Sequence, residues 1–261
     1  ALIAARLDAL SPPERRVVTD ASVLGVAFTS TGLATLNPDE ADLDAILDAL
    51  LRKEIFALTK DRFSAEVGQY RFVQAMVRQV AYGTQSRRDR KQRHLAAADY
   101  LATEPDAADL AVVIAQHLLD AIDASASSDP DAAELTVRAR GLLEAGSARA
   151  RSLGSHREAQ RLLETALVRA TPSDRRDQAR LHLAAAQVAV DAGAHDRAGW
   201  HAQQAMTDYD DLGMAIAAGT AAAALAAARS LSGDHHAAID VAQPRWLALR
   251  GVAGAEPALL R

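Results

Sequence analysis

Apolar residues recur at helical spacing along almost the whole chain. Leu43, Ile46, Leu47, Leu50 and Leu51 fall at i, i+3, i+4, i+7 and i+8, the single stripe of an amphipathic helix. Asn37-Pro38-Asp39-Glu40 is expected to open that helix. Upstream, Ser11-Pro12-Pro13-Glu14 combines a capping serine, proline in the first turn and a carboxylate where the helix dipole favours one. The helix it starts carries Val17, Val18, Ala21 and Leu24 and stops at Gly25. The period changes over Glu54–Phe63 and Gln69–Val73, where Ile55, Phe56, Leu58, Phe63, Tyr70 and Phe72 flank a polar turn at Ala65–Gly68. This predicts a short β-hairpin, the only strand signal in the chain.

Three helices and then a hairpin, over about 75 residues, is the element order of a winged helix. More helices are expected at Gln74–Gly83, Ser86–Ala102 and Ala107–Asp123, and Ser125–Asp131 is a polar break. Past it, Gly154-Ser-His156-Arg-Glu-Ala159 recurs as Gly193-Ala-His195-Asp-Arg-Ala198 and Gly233-Asp-His235-His-Ala-Ala238, with the glycines 39 and 40 residues apart. Ala166 and Ala205 repeat seven residues after the first two alanines. Each copy predicts a helical hairpin: glycine ends one helix in a left-handed cap, and alanine lets the next approach closely. Ser155 and Glu158 have the spacing of a capping box. Helical hairpins at this period indicate an α-solenoid. The expected class is therefore mainly α: a winged-helix domain (1–84), a helical connector (85–124) and helical-hairpin repeats (125–261).

Composition narrows the chemistry. The chain has 261 residues, net charge −5, no cysteine, 4% aromatic residues and 61 alanines. The lack of cysteine excludes disulfides, thiolate zinc sites and cysteine nucleophiles, and the alanine content suits close-packed helices. Starting on Ala1, the chain is expected to be an excerpt of a longer protein. Arg6 and Asp8 interrupt its first segment, so no signal peptide is expected. The most apolar stretch, Met214–Ala228, is too short to span a membrane, and a cytoplasmic location is expected.

The repeats resemble tetratricopeptide repeats, with Gly154, Ala159, Leu163 and Ala166 at their glycine, small, bulky and alanine positions and Pro172 one residue late. Ile3–Val18, Asp20–Gly25 and Tyr70–Thr84 resemble the winged-helix region of bacterial STAND-type signalling ATPases, including cyclase-linked and LuxR-type members. In that family the region follows a P-loop ATPase module and precedes tetratricopeptide-like repeats. The resemblance implies nucleotide-gated signalling, with ATP or ADP held by the parent protein and an upstream ATPase module as partner. It also implies a role for Gln74: the family pattern Phe-x-His places there a histidine that contacts the phosphate of ADP. Here Phe72-Val73-Gln74 offers a neutral amide instead.

Catalytic and metal signals are missing from the sequence. No Gly-x-x-x-x-Gly-Lys-[Ser/Thr] occurs, and Lys53, Lys60 and Lys91 follow no glycine-rich loop. No cofactor, metal site or enzymatic activity is expected of this chain alone. His156, His195 and His235 lie in register, but equivalent residues of stacked helices sit roughly 8–10 Å apart, whereas zinc needs its ligands within about 2.1 Å. They are expected to be turn residues. The basic run Arg87–His94 would suit phosphate or the ATPase module, and a solvated helix face is the expectation. Asp208-Tyr-Asp-Asp211 lacks a calcium-loop spacing and is expected to be a polar helix end. The expected function is a non-catalytic regulatory or sensor region that couples nucleotide state to a protein or small ligand on the repeats. The alternatives are a DNA-binding winged-helix regulator and a free-standing scaffold. Direct nucleic-acid binding is not expected, because the candidate recognition helix Asp39–Lys53 carries Asp39, Glu40, Asp42, Asp44 and Asp48 against Arg52 and Lys53.

Overall fold

The computed structural model describes residues 2–38, 40–58, 69–126, 129–170 and 174–255. Asp39, Lys60, Phe63, the Ala65–Gly68 turn and Pro172 lie outside the described residues. The chain is mainly helical and divides into two compact units, Ala1–Ala139 and Arg140–Arg261.

The first unit begins with α1 (Leu2–Asp8), α2 (Pro12–Leu24), β1 (Ala27–Thr29), α3 (Ser30–Leu36) and α4 (Leu43–Arg52). It continues with β2 (Phe56–Leu58), β3 (Gln69–Phe72), α5 (Ala75–Gly83), α6 (Arg87–Thr103) and α7 (Ala111–Ala124). Ser11 and Glu14 form a reciprocal capping box at the start of α2 (Ser11 N to Glu14 Oε2, 2.8 Å). The Glu14 carboxylate also accepts from Lys53 Nζ at 2.7 Å, which fastens α2 to the end of α4 and holds the Glu14 pKa below its ordinary value. The core joins Val17 and Val18 of α2 to Leu33, Leu47, Leu50, Ile55 and Val77.

Two expectations need correction here. The hairpin is not the only strand pair: β1 adds to β3 on the side opposite β2, giving an antiparallel sheet in the order β1-β3-β2. A three-residue strand has too little sequence for a period to show, and pairing with a distant strand makes it one. Phe28 of β1 secures it, with its ring edge-on to Phe56 at 5.0 Å and stacked on Tyr70 at 5.9 Å. The second correction concerns Asn37, which ends α3 instead of opening α4. Its amide donates to Leu33 O at 3.0 Å and its backbone N–H donates to Ala34 O. Thr29 caps the start of this short helix, whose seven residues carry no apolar period of their own. α4 starts only at Leu43.

α8 (Ala132–Ser152) ends in the second unit, which continues with α9 (His156–Val168), α10 (Arg175–Asp191), α11 (His195–Asp211), α12 (Ala215–Leu231) and α13 (His235–Leu249). Gly154, Gly193 and Gly233 sit between paired helices as expected, with φ of 74°, 71° and 87°. At each, the following N–H reaches back five residues, as from Ala194 N to Ala189 O at 2.9 Å, the bond of a Schellman cap. Gly213 (φ 69°) makes the same turn between α11 and α12, a fourth copy not foreseen. Ala159, Ala166, Ala198 and Ala205 are fully buried, as close helix contact requires. The capping box at Ser155 does not form: the Ser155 side chain makes no cap bond, and Glu158 pairs with Arg161 at 2.6 Å.

Arginine–carboxylate pairs tie elements about one period apart. Arg180 meets Glu144, Arg151 meets Asp191 at 2.5 Å, Arg197 meets Glu164 at 3.0 Å and Arg245 meets Asp210. Arg175 bridges Asp208 (3.0 Å) and Asp211 (2.7 Å), so the acidic end of α11 belongs to this ladder.

Valine strains the left-handed backbone at position 193, so Gly193→Val is expected to destabilise the second unit by about 2 kcal/mol. Gly141 lies inside α8 with open space where a Cβ would project. Gly141→Ala is therefore expected to stabilise by about 0.5–1 kcal/mol. Urea denaturation of the two variants checks the pair. A Gly193→Val loss below about 0.5 kcal/mol would remove the special status of the turn glycine.

Candidate functional site

The residues singled out from the sequence occupy separate places. Gln74 is the N-cap of α5, exposed, with extended backbone (φ −127°, ψ 120°) and no side-chain cap bond. His156, His195 and His235 each open a helix. The Nδ1 atoms of His156 and His195 are buried without a partner, and His235 Nδ1 lies 3.2 Å from Ser230 Oγ. No group of three or more potential metal-ligating side chains converges among the described residues.

The basic run is not a uniformly solvated face. Arg93 pairs with the buried Asp20 of α2, Lys91 bridges Asp129 (3.0 Å) and Asp131 (2.7 Å), and Arg90 lies over the Tyr82 ring at 5.5 Å. Arg87 donates to the Asp123 carbonyl. Most of the run thus fastens α6 to its own unit, and His94 within it is buried. The candidate recognition helix also changes. Of its expected carboxylates only Asp44 and Asp48 lie in α4, Glu40 pairs with Arg16 at 3.1 Å, and Lys53 is held by Glu14. Among the described residues Arg52 is its one cation outside such a pair, so α4 itself carries two carboxylates against one arginine.

Two histidine pairs were not visible from the sequence. His94 Nδ1 and His117 Nδ1 meet at 2.9 Å, and His94 Nε2 meets Tyr82 Oη at 2.9 Å. His182 Nδ1 and His201 Nδ1 meet at 2.9 Å in the second unit. Two ring nitrogens at this separation share one proton, so each pair holds one donor and one acceptor. Burial pushes all four imidazole pKa values down, that of His117 to about 4 and that of His201 to about 4. The partners lie 23 and 19 residues apart. Only the packing of α6 on α7, and of α10 on α11, brings them together.

The second histidine pair underlies the most exposed aromatic feature of the repeats. Trp200 packs edge-on against His182 (5.4 Å) and His201 (4.8 Å), yet remains 56% exposed, and Val168 nearby is 81% exposed. They line an open depression of about 740 Å³ with Leu167 and the Arg197–Glu164 pair. An exposed tryptophan beside aliphatic residues and an arginine has the composition of a binding hot spot.

No known family profile and no curated protein matches the chain. Among solved structures, a similar chain is that of a signal transduction ATPase with numerous domains (STAND) protein with a tetratricopeptide repeat sensor from Pyrococcus horikoshii. The identity is 12% and the TM-score 0.32, over 97% of this chain and 53% of that one. This chain therefore spans about half the length of that protein. The helical repeats rest on their own glycine turns and buried alanines, not on that likeness. No helix among the described residues is long and apolar enough to cross a membrane.

Proposed function

We propose that this chain is the non-catalytic regulatory region of a STAND-type P-loop ATPase acting in signal transduction or transcription control. Its first unit is read as a winged helix built on α2, α3 and α4 with the β2–β3 hairpin as wing, α6 and α7 as a connector, and the second unit as a tetratricopeptide-like sensor. The work of the chain is to couple the nucleotide state of an ATPase module, which binds ATP or ADP, to a protein or ligand held by the repeats. The observation that carries the binding role is Trp200, more than half exposed on an open face beside Val168. The DNA-binding alternative is disfavoured by the acidic character of α4, and a free-standing scaffold needs no nucleotide-linked behaviour.

Two experiments test this proposal. In the longer protein carrying the ATPase module, excision of residues 140–261 is expected to change basal ATP turnover, and unchanged turnover would contradict the sensor role. Trp200→Ala is expected to lower stability by about 1–2 kcal/mol through its lost edge-on contacts with His182 and His201 while costing at least about 2 kcal/mol in partner binding. Thermal melts and titration with a partner that responds to the intact protein check it. Undiminished binding would remove Trp200 from the interface.

A further inference from the structure

The first unit contains a second place where a ligand fits, independent of the repeats. A cleft of about 330 Å³ lies among β1, the start of α3 and the α6–α7 pair. Phe28, Leu110 and Val113 give it apolar walls. Glu104 and Asp106 stand on its rim, no lysine or arginine is among its described lining residues, and no ion pair of either carboxylate is found among the described residues. Glu104 is also the C-cap of the 17-residue α6, so the negative end of that helix dipole borders the same space.

An independent feature points into the cleft. His117 is only 7% exposed, and its Nδ1 is taken by His94. Its Nε2 has no partner among the described residues and is not enclosed, so it opens to the cleft that His117 lines. A hydrogen-bonded chain therefore runs from Tyr82 Oη through His94 to His117 and ends at this free nitrogen. Two proton arrangements satisfy the chain. In one, Tyr82 donates to His94, His94 donates to His117, and Nε2 of His117 presents an N–H to the cleft. In the other, His117 donates to His94, His94 donates to Tyr82, and Nε2 presents a lone pair. A donor-bearing cation selects the second arrangement, and the uncompensated negative potential of the rim favours such a guest.

We propose that this cleft binds a small organic cation with an apolar body. Its ammonium donates to His117 Nε2 under the attraction of the Glu104 and Asp106 carboxylates at the rim, and its body rests on Phe28, Leu110 and Val113. The probe is phenethylammonium, with phenethyl alcohol and phenylacetate as neutral and anionic counterparts, titrated into the full chain near neutral pH. Imidazole nitrogen NMR is the readout. Phenethylammonium is expected to move the His117 Nε2 resonance saturably toward its unprotonated, acceptor form. The alcohol and the acid are expected to bind at least about tenfold more weakly. Glu104→Gln/Asp106→Asn, which leaves the buried relay intact, is expected to weaken the amine at least about tenfold with an unchanged melting temperature. Equal binding of all three probes would reduce the cleft to an apolar hollow and overturn the proposal. So would an amine affinity indifferent to the double variant, or no His117 response at millimolar amine.

Discussion

Lowering the pH from 7 to 5 is expected to cost the first unit about 4 kcal/mol through His94 and His117 alone. An unfolded imidazole titrates near 6.5, whereas in the folded unit burial holds that of His117 down to about 4 and that of His94 lower still. Below pH 6.5 the unfolded chain therefore binds more protons, and stability falls with pH until the folded imidazoles themselves titrate. Each contributes about 2 kcal/mol at pH 5. His182 and His201 push the second unit the same way, with Asp208 partly opposing the shift at His182. Urea denaturation at stepped pH, followed separately for the two units, reads the slope, and imidazole proton NMR reads the protonation states. Folded His94 or His117 titrating near 6.5 would contradict the buried pair.

The second large effect is expected from Asp20. Asp20 is 4% exposed, and its carboxylate pairs with Arg93 from the basic run of α6. Burial outweighs the guanidinium and lifts the Asp20 pKa, so this group does not add to the acid loss just described. Asp20→Ala leaves a largely covered guanidinium without its partner and is expected to destabilise the first unit by about 3–5 kcal/mol. Arg93→Met is expected to cost a similar amount by stranding the carboxylate. Asp20→Leu/Arg93→Met is expected to recover most of the loss, because replacing both members of a buried pair removes the unpaired charge. A double-mutant cycle measured by urea unfolding decides it, and additive losses would mean that the two side chains do not act as a pair.

These two effects mark where the sequence was and was not informative. Features carried by local chemistry were legible: the start of α2 at Ser11, the hairpin strands, and the turns at Gly154, Gly193 and Gly233, where a left-handed backbone selects glycine. Gly213 obeys the same rule but falls midway between Gly193 and Gly233, so the 39–40-residue spacing does not mark it. β1 and α3 were missed because three and seven residues carry too little pattern, and Asn37 served as a helix end where a helix start was expected. The basic run reads as a solvated face because Asp20 lies 73 residues away from Arg93 and is brought to it only by packing. The histidine pairs were hidden for the same reason. The arginine ladder of the repeats did leave a trace, since oppositely charged residues recur about one period apart.

Calorimetric titration of ADP checks the proposed regulation of a separate nucleotide-binding module. The 261-residue chain is expected to give no binding heat, whereas the protein extended upstream of Ala1 is expected to bind ADP. In the extended protein, Gln74→His is expected to tighten ADP about fivefold by adding a charge-assisted hydrogen bond, and Gln74→Ala to weaken it only slightly. Equal affinities across the three would reduce Gln74 to an exposed helix cap. An extended protein that binds no ADP at all would overturn the proposed regulatory role.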